Sequence, residues 1–284
     1  MVQTVLMNTI SNADGLQLHL RHWPAPGSGA RGTLQIVHGL GEHLGRYAGL
    51  AAALNLAGWS VVGHDLQGHG RSQGARGTLL SANSLLTDVA TVMDSLRGRD
   101  TGRWLLLGHS LGGLVAARFV AEALAPQPAA WSRPVDGLVL SSPALDPGMN
   151  VAQRGLLAVL AALLPNLRIS NGLKPAWISR DPAVVQAYVD DPLVHSRVTP
   201  RLVSFLLQSA ARVQAQAARW HLPTLLLWAG ADCCVAPAGS AAFAAAAPSA
   251  VLTAEVFPKL FHEIFNEPER DEVITRLTTW LGRF

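Results

Sequence analysis

Along the first half of the chain, short apolar runs alternate with longer stretches patterned at helical spacing. Residues 2–23 alternate loosely, with Leu16, Leu18 and Leu20 on one face. The turn-forming tetrapeptide Asn12-Ala13-Asp14-Gly15 divides them into two strands. A Pro/Gly loop over 24–32 leads to 33–37, a run short and apolar enough for a buried strand. The Ala/Leu-rich stretch 47–57, closed by Gly58, predicts a helix, and 59–63 the next strand. A glycine-punctuated loop follows over 64–72, then an amphipathic helix over 85–96. Residues 104–107 predict a strand, 114–120 a helix, and 135–140 a further strand stopped by Ser141-Ser142-Pro143. Strand and helix thus alternate through residue 143. That is the α/β class: a mostly parallel sheet covered by helices on both faces.

After Pro147 the alternation stops. Residues 148–220 carry helical patterns and no convincing strand. In 151–164, Leu156, Leu157, Leu160, Leu163 and Leu164 share one wide face, and Pro165-Asn166 ends it. Two more helices are predicted over 181–190 and 199–220. Strand pattern returns at 222–228, followed by an Ala-rich helix over 238–247, a strand over 251–257 and a closing helix over 271–281. The expectation is one sheet domain built from 1–147 and 221–284, with 148–220 inserted as a helical cap.

Composition narrows the function. Charged residues make up only 14% of the 284, against about 25% in ordinary globular domains. The net charge of +3 comes from scattered arginines, with no basic stripe interleaved with aromatics, so nucleic acid is not expected as a partner. The two cysteines, Cys233 and Cys234, are adjacent, so no disulfide framework is expected and a reducing compartment is the default. Residues 1–20 lack the basic-then-apolar pattern of a secretory signal, and no apolar run approaches the ~20 residues of a membrane span.

The chemistry gathers on Gly108-His109-Ser110-Leu111-Gly112. A G-x-S-x-G between a predicted strand and a predicted helix reads as a nucleophile elbow, a tight turn that exposes the serine hydroxyl. A serine needs a base, and the base an orienting acid. Asp232 and His262 each follow a predicted strand by a short loop, where open α/β sheets form their crevice. The order Ser110, Asp232, His262 is the order this kind of turn uses. Two backbone amides are assigned to the oxyanion: Leu111, and Leu40 in the flexible Gly39-Leu40-Gly41 loop. Asp65 is expected to satisfy loop amides around Gly68 and Gly70. His38, His43, His64, His69 and His109 lack metal-ligand spacing, so no metal is expected. Cys233 is expected to pack as a small hydrophobe.

Five motifs in order now carry a resemblance: H-G-L-G-E-H (38–43), D-L-Q-G-H-G-R-S (65–72), G-H-S-L-G-G (108–113), W-A-G-A-D (228–232) and F-H-E-I-F-N-E (261–267). Together with the segment Y-V-D-D-P-L (188–193), they resemble the monoacylglycerol lipase and lysophospholipase branch of the α/β-hydrolases, from about residue 10 to the C-terminus. The resemblance implies the α/β-hydrolase fold with an inserted cap, a Ser110–Asp232–His262 triad, an oxyanion hole from the Leu40 and Leu111 amides, and no cofactor. It implies head-group contacts from Glu42, Arg46 and Tyr188. Phe265 stands where such relatives often carry a second histidine, which favours a less polar alcohol.

The expected activity is hydrolysis of a single-chain lipid ester, a small-molecule substrate, through an acyl-enzyme on Ser110. The expected location is cytoplasmic, with at most weak peripheral contact between the cap and a membrane surface. The same triad also serves acyl transfer, thioester hydrolysis or perhydrolysis. A non-catalytic ligand-binding relative is the alternative of another class, and the intact triad argues against it. Nothing in the sequence fixes an oligomeric state.

Overall fold

Runs that are apolar at every position bury both faces of a strand, and that is how the central runs of this chain are used. A computed structural model of the protein describes residues 6–27, 29–97 and 102–284. The alternating residues 2–5 lie outside these. The elements in order are β1 (Leu6–Ser11), β2 (Gln17–Trp23), β3 (Gly32–Val37), α1 (Ala48–Leu56), β4 (Trp59–His64), α2 (Ser84–Leu96), β5 (Arg103–His109), α3 (Leu111–Glu122) and β6 (Gly137–Ser141). They continue with α4 (Val151–Leu163), β7 (Ile169–Ser170), α5 (Pro182–Asp190), β8 (Arg197–Val198), α6 (Pro200–Gln216), β9 (Thr224–Ala229), α7 (Pro237–Ala246), β10 (Leu252–Phe257) and α8 (Arg270–Leu281).

Eight strands form one sheet in the order β1-β2-β4-β3-β5-β6-β9-β10. The first two pair antiparallel around the Asn12 turn, where Asn12 Oδ1 accepts the Asp14 and Leu16 amides. β2 is antiparallel to β4, and from β4 onward every pair is parallel. Side chains of β5 alternate between two cores. Leu105 and Leu107 join Leu34, Ile36, Val139 and Leu225 under α1 and α8. Trp104 and Leu106 join Leu138, Leu140 and Leu226 under α2, α3 and α6. Val37 stands opposite Gly108, and His109 opposite Ser141. The C-terminal ends of β3, β5 and β6 are therefore level, and the loops leaving them open onto the same crevice.

β6 and β9 are sheet neighbours, yet α4, β7, α5, β8 and α6 lie between them in the chain. This excursion holds one feature absent from the sequence pattern. Ile169 pairs with Val198 and Ser170 with Arg197 in an antiparallel two-residue ladder. Two positions cannot display a period, so no pattern could announce it. α4 starts at a reciprocal capping box: Asn150 Oδ1 accepts the Gln153 amide and Gln153 Oε1 accepts the Asn150 amide. Its apolar face is wide, as predicted, but only Leu157 is buried. Val151, Leu156, Val159 and Leu163 are exposed. α6 behaves differently. Its Leu202, Phe205, Leu206 and Val213 bury into the same core as α3.

Candidate active site

β5 ends at His109, and Ser110 takes φ 55°, ψ −119° before α3 begins. A non-glycine residue at such a φ is strained, and tight packing on either side holds it there. A Cβ on Gly112 would stand 2.0 Å from the Val37 carbonyl oxygen, so only glycine lets α3 approach β3 this closely. The Ser110 amide donates to the Ser141 carbonyl at 3.0 Å, and the Ser110 carbonyl accepts the Ala144 and Leu114 amides. The turn is thereby tied to β6, and the hydroxyl is left facing the crevice.

Two loops on the far side of the sheet reach that hydroxyl. His262, in the loop after β10, brings Nε2 to 2.8 Å from Ser110 Oγ. Asp232, in the turn after β9, accepts from His262 Nδ1 at 2.6 Å through Oδ2. Its Oδ1 accepts the Cys234 and Val235 amides at 2.7 and 3.0 Å, which fixes the carboxylate plane. A proton on Nδ1, held by Asp232, leaves Nε2 free to accept from Ser110. The His109 ring lies 4.7 Å from that of His262. Burial, then the neighbouring His262, drive His109 down to about 3, so it is neutral, with Nδ1 bonded to Ser141 Oγ at 3.0 Å.

Leu40 and Leu111 both border the crevice beside Ser110. The Leu111 amide opens α3, where first-turn N–H groups have no helical acceptor and face developing negative charge favourably. Next to Leu40, the Gly39 amide donates to Glu42 Oε1 at 2.6 Å.

The crevice has two compartments meeting at Ser110. One is an apolar groove of about 450 Å³ under α4, with Leu156, Leu157, Leu160, Val203 and Leu206 among its walls. The other, about 500 Å³, is polar and includes Glu42, Tyr188, Asp191 and Glu263. The predicted head-group residues separate here. Glu42 and Tyr188 line the polar compartment. Arg46 stands behind it: Nη1 donates to Glu42 Oε2 at 2.8 Å, and the guanidinium bonds both oxygens of Glu263 at 2.5 and 2.7 Å. The Tyr188 ring lies 4.9 Å from the Arg46 guanidinium carbon. Phe265 is not in either compartment. It is buried in the core under α1 and α8, because the short helical turn at Ile264–Asn266 directs it inward. The expectation that Phe265 meets the alcohol is corrected accordingly.

The charges in the polar compartment reinforce one another. Burial alone would raise the Glu42 carboxyl; Arg46, His38, the Tyr47 hydroxyl and the Gly39 amide outweigh it and hold it below the usual range. Burial works against the Arg46 charge, and Glu263 and Glu42 more than restore it. Burial, then Glu42 and Glu263, push the Tyr188 phenol up to about 12.

Other predicted residues fall as follows. Asp65 accepts the Arg71 amide next to Gly70, and also the Leu44 amide of the facing loop. His38 bridges the Gly39 carbonyl and the Leu66 amide, and His43 joins Asp191 at 2.8 Å. Cys233 does not pack as a small hydrophobe: it is exposed, because the turn faces its neighbour Cys234 inward. Burial, then the Asp232 charge, push the Cys234 thiol up, which keeps it protonated. Among the described residues, Asp232, Cys234 and His262 form a group whose ligand atoms, within 4.8 Å of one another, could hold a metal ion. The Asp232–His262 hydrogen bond already occupies that convergence, so an ion there would displace its proton. Glu263 and Cys234 escaped the sequence reading. Glu263 follows His262 directly, and only its bidentate grip on Arg46 distinguishes it from an ordinary surface glutamate.

Fold and site together define a serine hydrolase of the α/β-hydrolase class. Residues 28–269 match the family model described as serine aminopeptidase, S33. The monoacylglycerol lipase of Mycolicibacterium smegmatis is 31% identical over 278 residues, covering 96% of each chain. An uncharacterized abhydrolase domain-containing protein of Dictyostelium discoideum is 30% identical over 98% of this chain, which spans 29% of that longer protein. The crystal structure of Paleococcus ferrophilus monoacylglycerol lipase superposes with a TM-score of 0.82 at 35% identity, covering 93% of this chain and 98% of that one. The chain belongs to the S33 family, within the monoacylglycerol lipase branch of the α/β-hydrolases. It is a carboxylic-ester hydrolase. No helix among the described residues is long and apolar enough to cross a membrane.

Proposed function

We propose that the protein cleaves single-chain lipid esters by an acyl-enzyme route. The observation that carries this is the Ser110–His262–Asp232 relay opening directly onto an apolar groove. Ser110 Oγ attacks the ester carbonyl while His262 Nε2 takes its proton. The carbonyl oxygen, now an anion, accepts from the Leu40 and Leu111 amides. His262 then gives the proton to the departing alcohol. Water entering the vacated side loses a proton to the same nitrogen and releases the acid. Asp232 holds the imidazole in the required tautomer and stabilises its charged form.

In this reading the acyl chain lies in the groove beneath α4 and the alcohol in the polar compartment. The helical excursion over 148–220 serves as the cap, and the exposed face of α4 meets the surface of aggregated lipid. The lipase names of the mycobacterial and archaeal relatives support a lipid substrate here.

The test is a hydrolysis panel across acyl length and head group, with glycerol and hydrogen peroxide as competing acceptors. Long-chain monoesters are expected to exceed short soluble ones in kcat/KM, with water the preferred acceptor. Ser110→Ala should abolish turnover and fluorophosphonate labelling with little change in Tm. Residual activity near that of the unmodified protein removes Ser110 from the mechanism.

A further inference from the structure

An arginine beside a hydrolase nucleophile invites reading as a receptor for an anionic head group. Arg46 cannot serve as one. Both its outer nitrogens are held by Glu263, and Nη1 is shared with Glu42. Two carboxylates bracket one guanidinium, so the trio carries one surplus negative charge. Glu42 and Glu263 both line the compartment that also holds Ser110 and His262. Asp191 adds a further carboxylate to the same wall, bonded to His43 and to the Leu193 amide. Two groups could offset them. Lys174 is exposed, with its ammonium over the Trp177 ring at 5.4 Å. Burial, then Arg76, keep His195 neutral down to about 4. The interior of the compartment is therefore anionic.

We infer that this compartment sorts leaving groups by charge, accepting neutral and cationic alcohols and rejecting anionic ones, with Glu263 as the residue that sets the sign. The inference rests on the ester-hydrolase reading above and adds the class of alcohol. Glu263 acts through the field it imposes rather than by touching the ester. A unit charge in a partly buried site changes the affinity of a second one several ångströms away by at least about tenfold. Glu263 is the informative position. Glu42 also holds the Gly39 amide beside the oxyanion loop, so changing it would disturb geometry and charge together.

The experiment compares three esters of one acyl chain: decanoylcholine, 1-decanoylglycerol and 1-decanoylglycerol 3-phosphate, with decanoate release measured for each. The unmodified protein should favour the first two over the phosphate by at least about tenfold in kcat/KM. Glu263→Gln should narrow the choline-to-phosphate ratio by about tenfold, while Glu263→Asp keeps it. Equal rates on all three in the unmodified protein overturn the inference without any variant. A ratio unchanged in Glu263→Gln overturns it as well. Failure on all three esters, with Ser110 unlabelled by fluorophosphonate, overturns the ester-hydrolase reading and this inference with it.

Discussion

Asp88 is fully buried on α2, with Oδ1 accepting from Asn12 Nδ2 at 2.8 Å. Burial raises its carboxyl to about 7, against the help of Asn12. A carboxyl whose folded value exceeds its unfolded one binds an extra proton in the folded state, so it erodes stability as pH climbs from about 4 to 7. Buried His64 and His109, both near 3 in the fold, work in the opposite sense: the unfolded chain takes their protons, and stability is lost as pH falls below about 6.5. Asp88→Asn should therefore raise Tm at pH 8, with the gain vanishing toward pH 4. Melting curves across that range check it, and an equal gain at both ends would remove Asp88 ionisation as the cause. At this scale sequence reading succeeds where a residue's role follows from its place after a strand, as for Ser110, Asp232 and His262. It fails where the role depends on what the fold sets opposite. Phe265 turns into the core, and Glu263 gains its meaning only from Arg46.

Most elements were legible because their patterns are long. The strands over β3, β4, β5, β9 and β10 and the helices α1, α2 and α8 fall within a few residues of their predicted bounds. The β7–β8 ladder was illegible because it is two residues long. α4 is the instructive case. Its pattern announces an apolar face, but pattern alone does not say what covers that face. The structure leaves Val151, Val159 and Leu163 in solvent while Leu156, Leu157 and Leu160 border the groove. Exposed apolar patches of this kind mark interaction surfaces. Replacing both Val159 and Leu163 by Asp should lower the rate on dispersed long-chain esters by about tenfold and spare soluble short-chain esters, since adsorption scales with the apolar area buried. Vesicle co-sedimentation should fall in parallel. An equal loss on both substrate types would place the damage in folding instead.

For the molecule as a whole, the excursion between β6 and β9 is fastened to both loops that frame the nucleophile. On one side the His195 amide donates to the Gly41 carbonyl at 2.8 Å and Asp191 pairs with His43. On the other, fully buried Glu267 gathers the Arg180 amide and guanidinium, the Ser179 hydroxyl and the Phe261 amide. The Glu263 amide donates to Ile178 at 2.8 Å, next to His262 itself. Glu267→Ala leaves these donors unmatched and should lower kcat more than it raises KM, because the loop carrying His262 loses its anchor. A rise in KM alone would assign Glu267 to substrate capture. These fastenings also dictate how a guest gets in. Swinging the roof away as a hinged unit would tear the imidazole's own moorings, so passage must be lengthwise: the fatty tail threads past α4 as a cord through a sleeve, and the released alcohol departs by the opposite mouth.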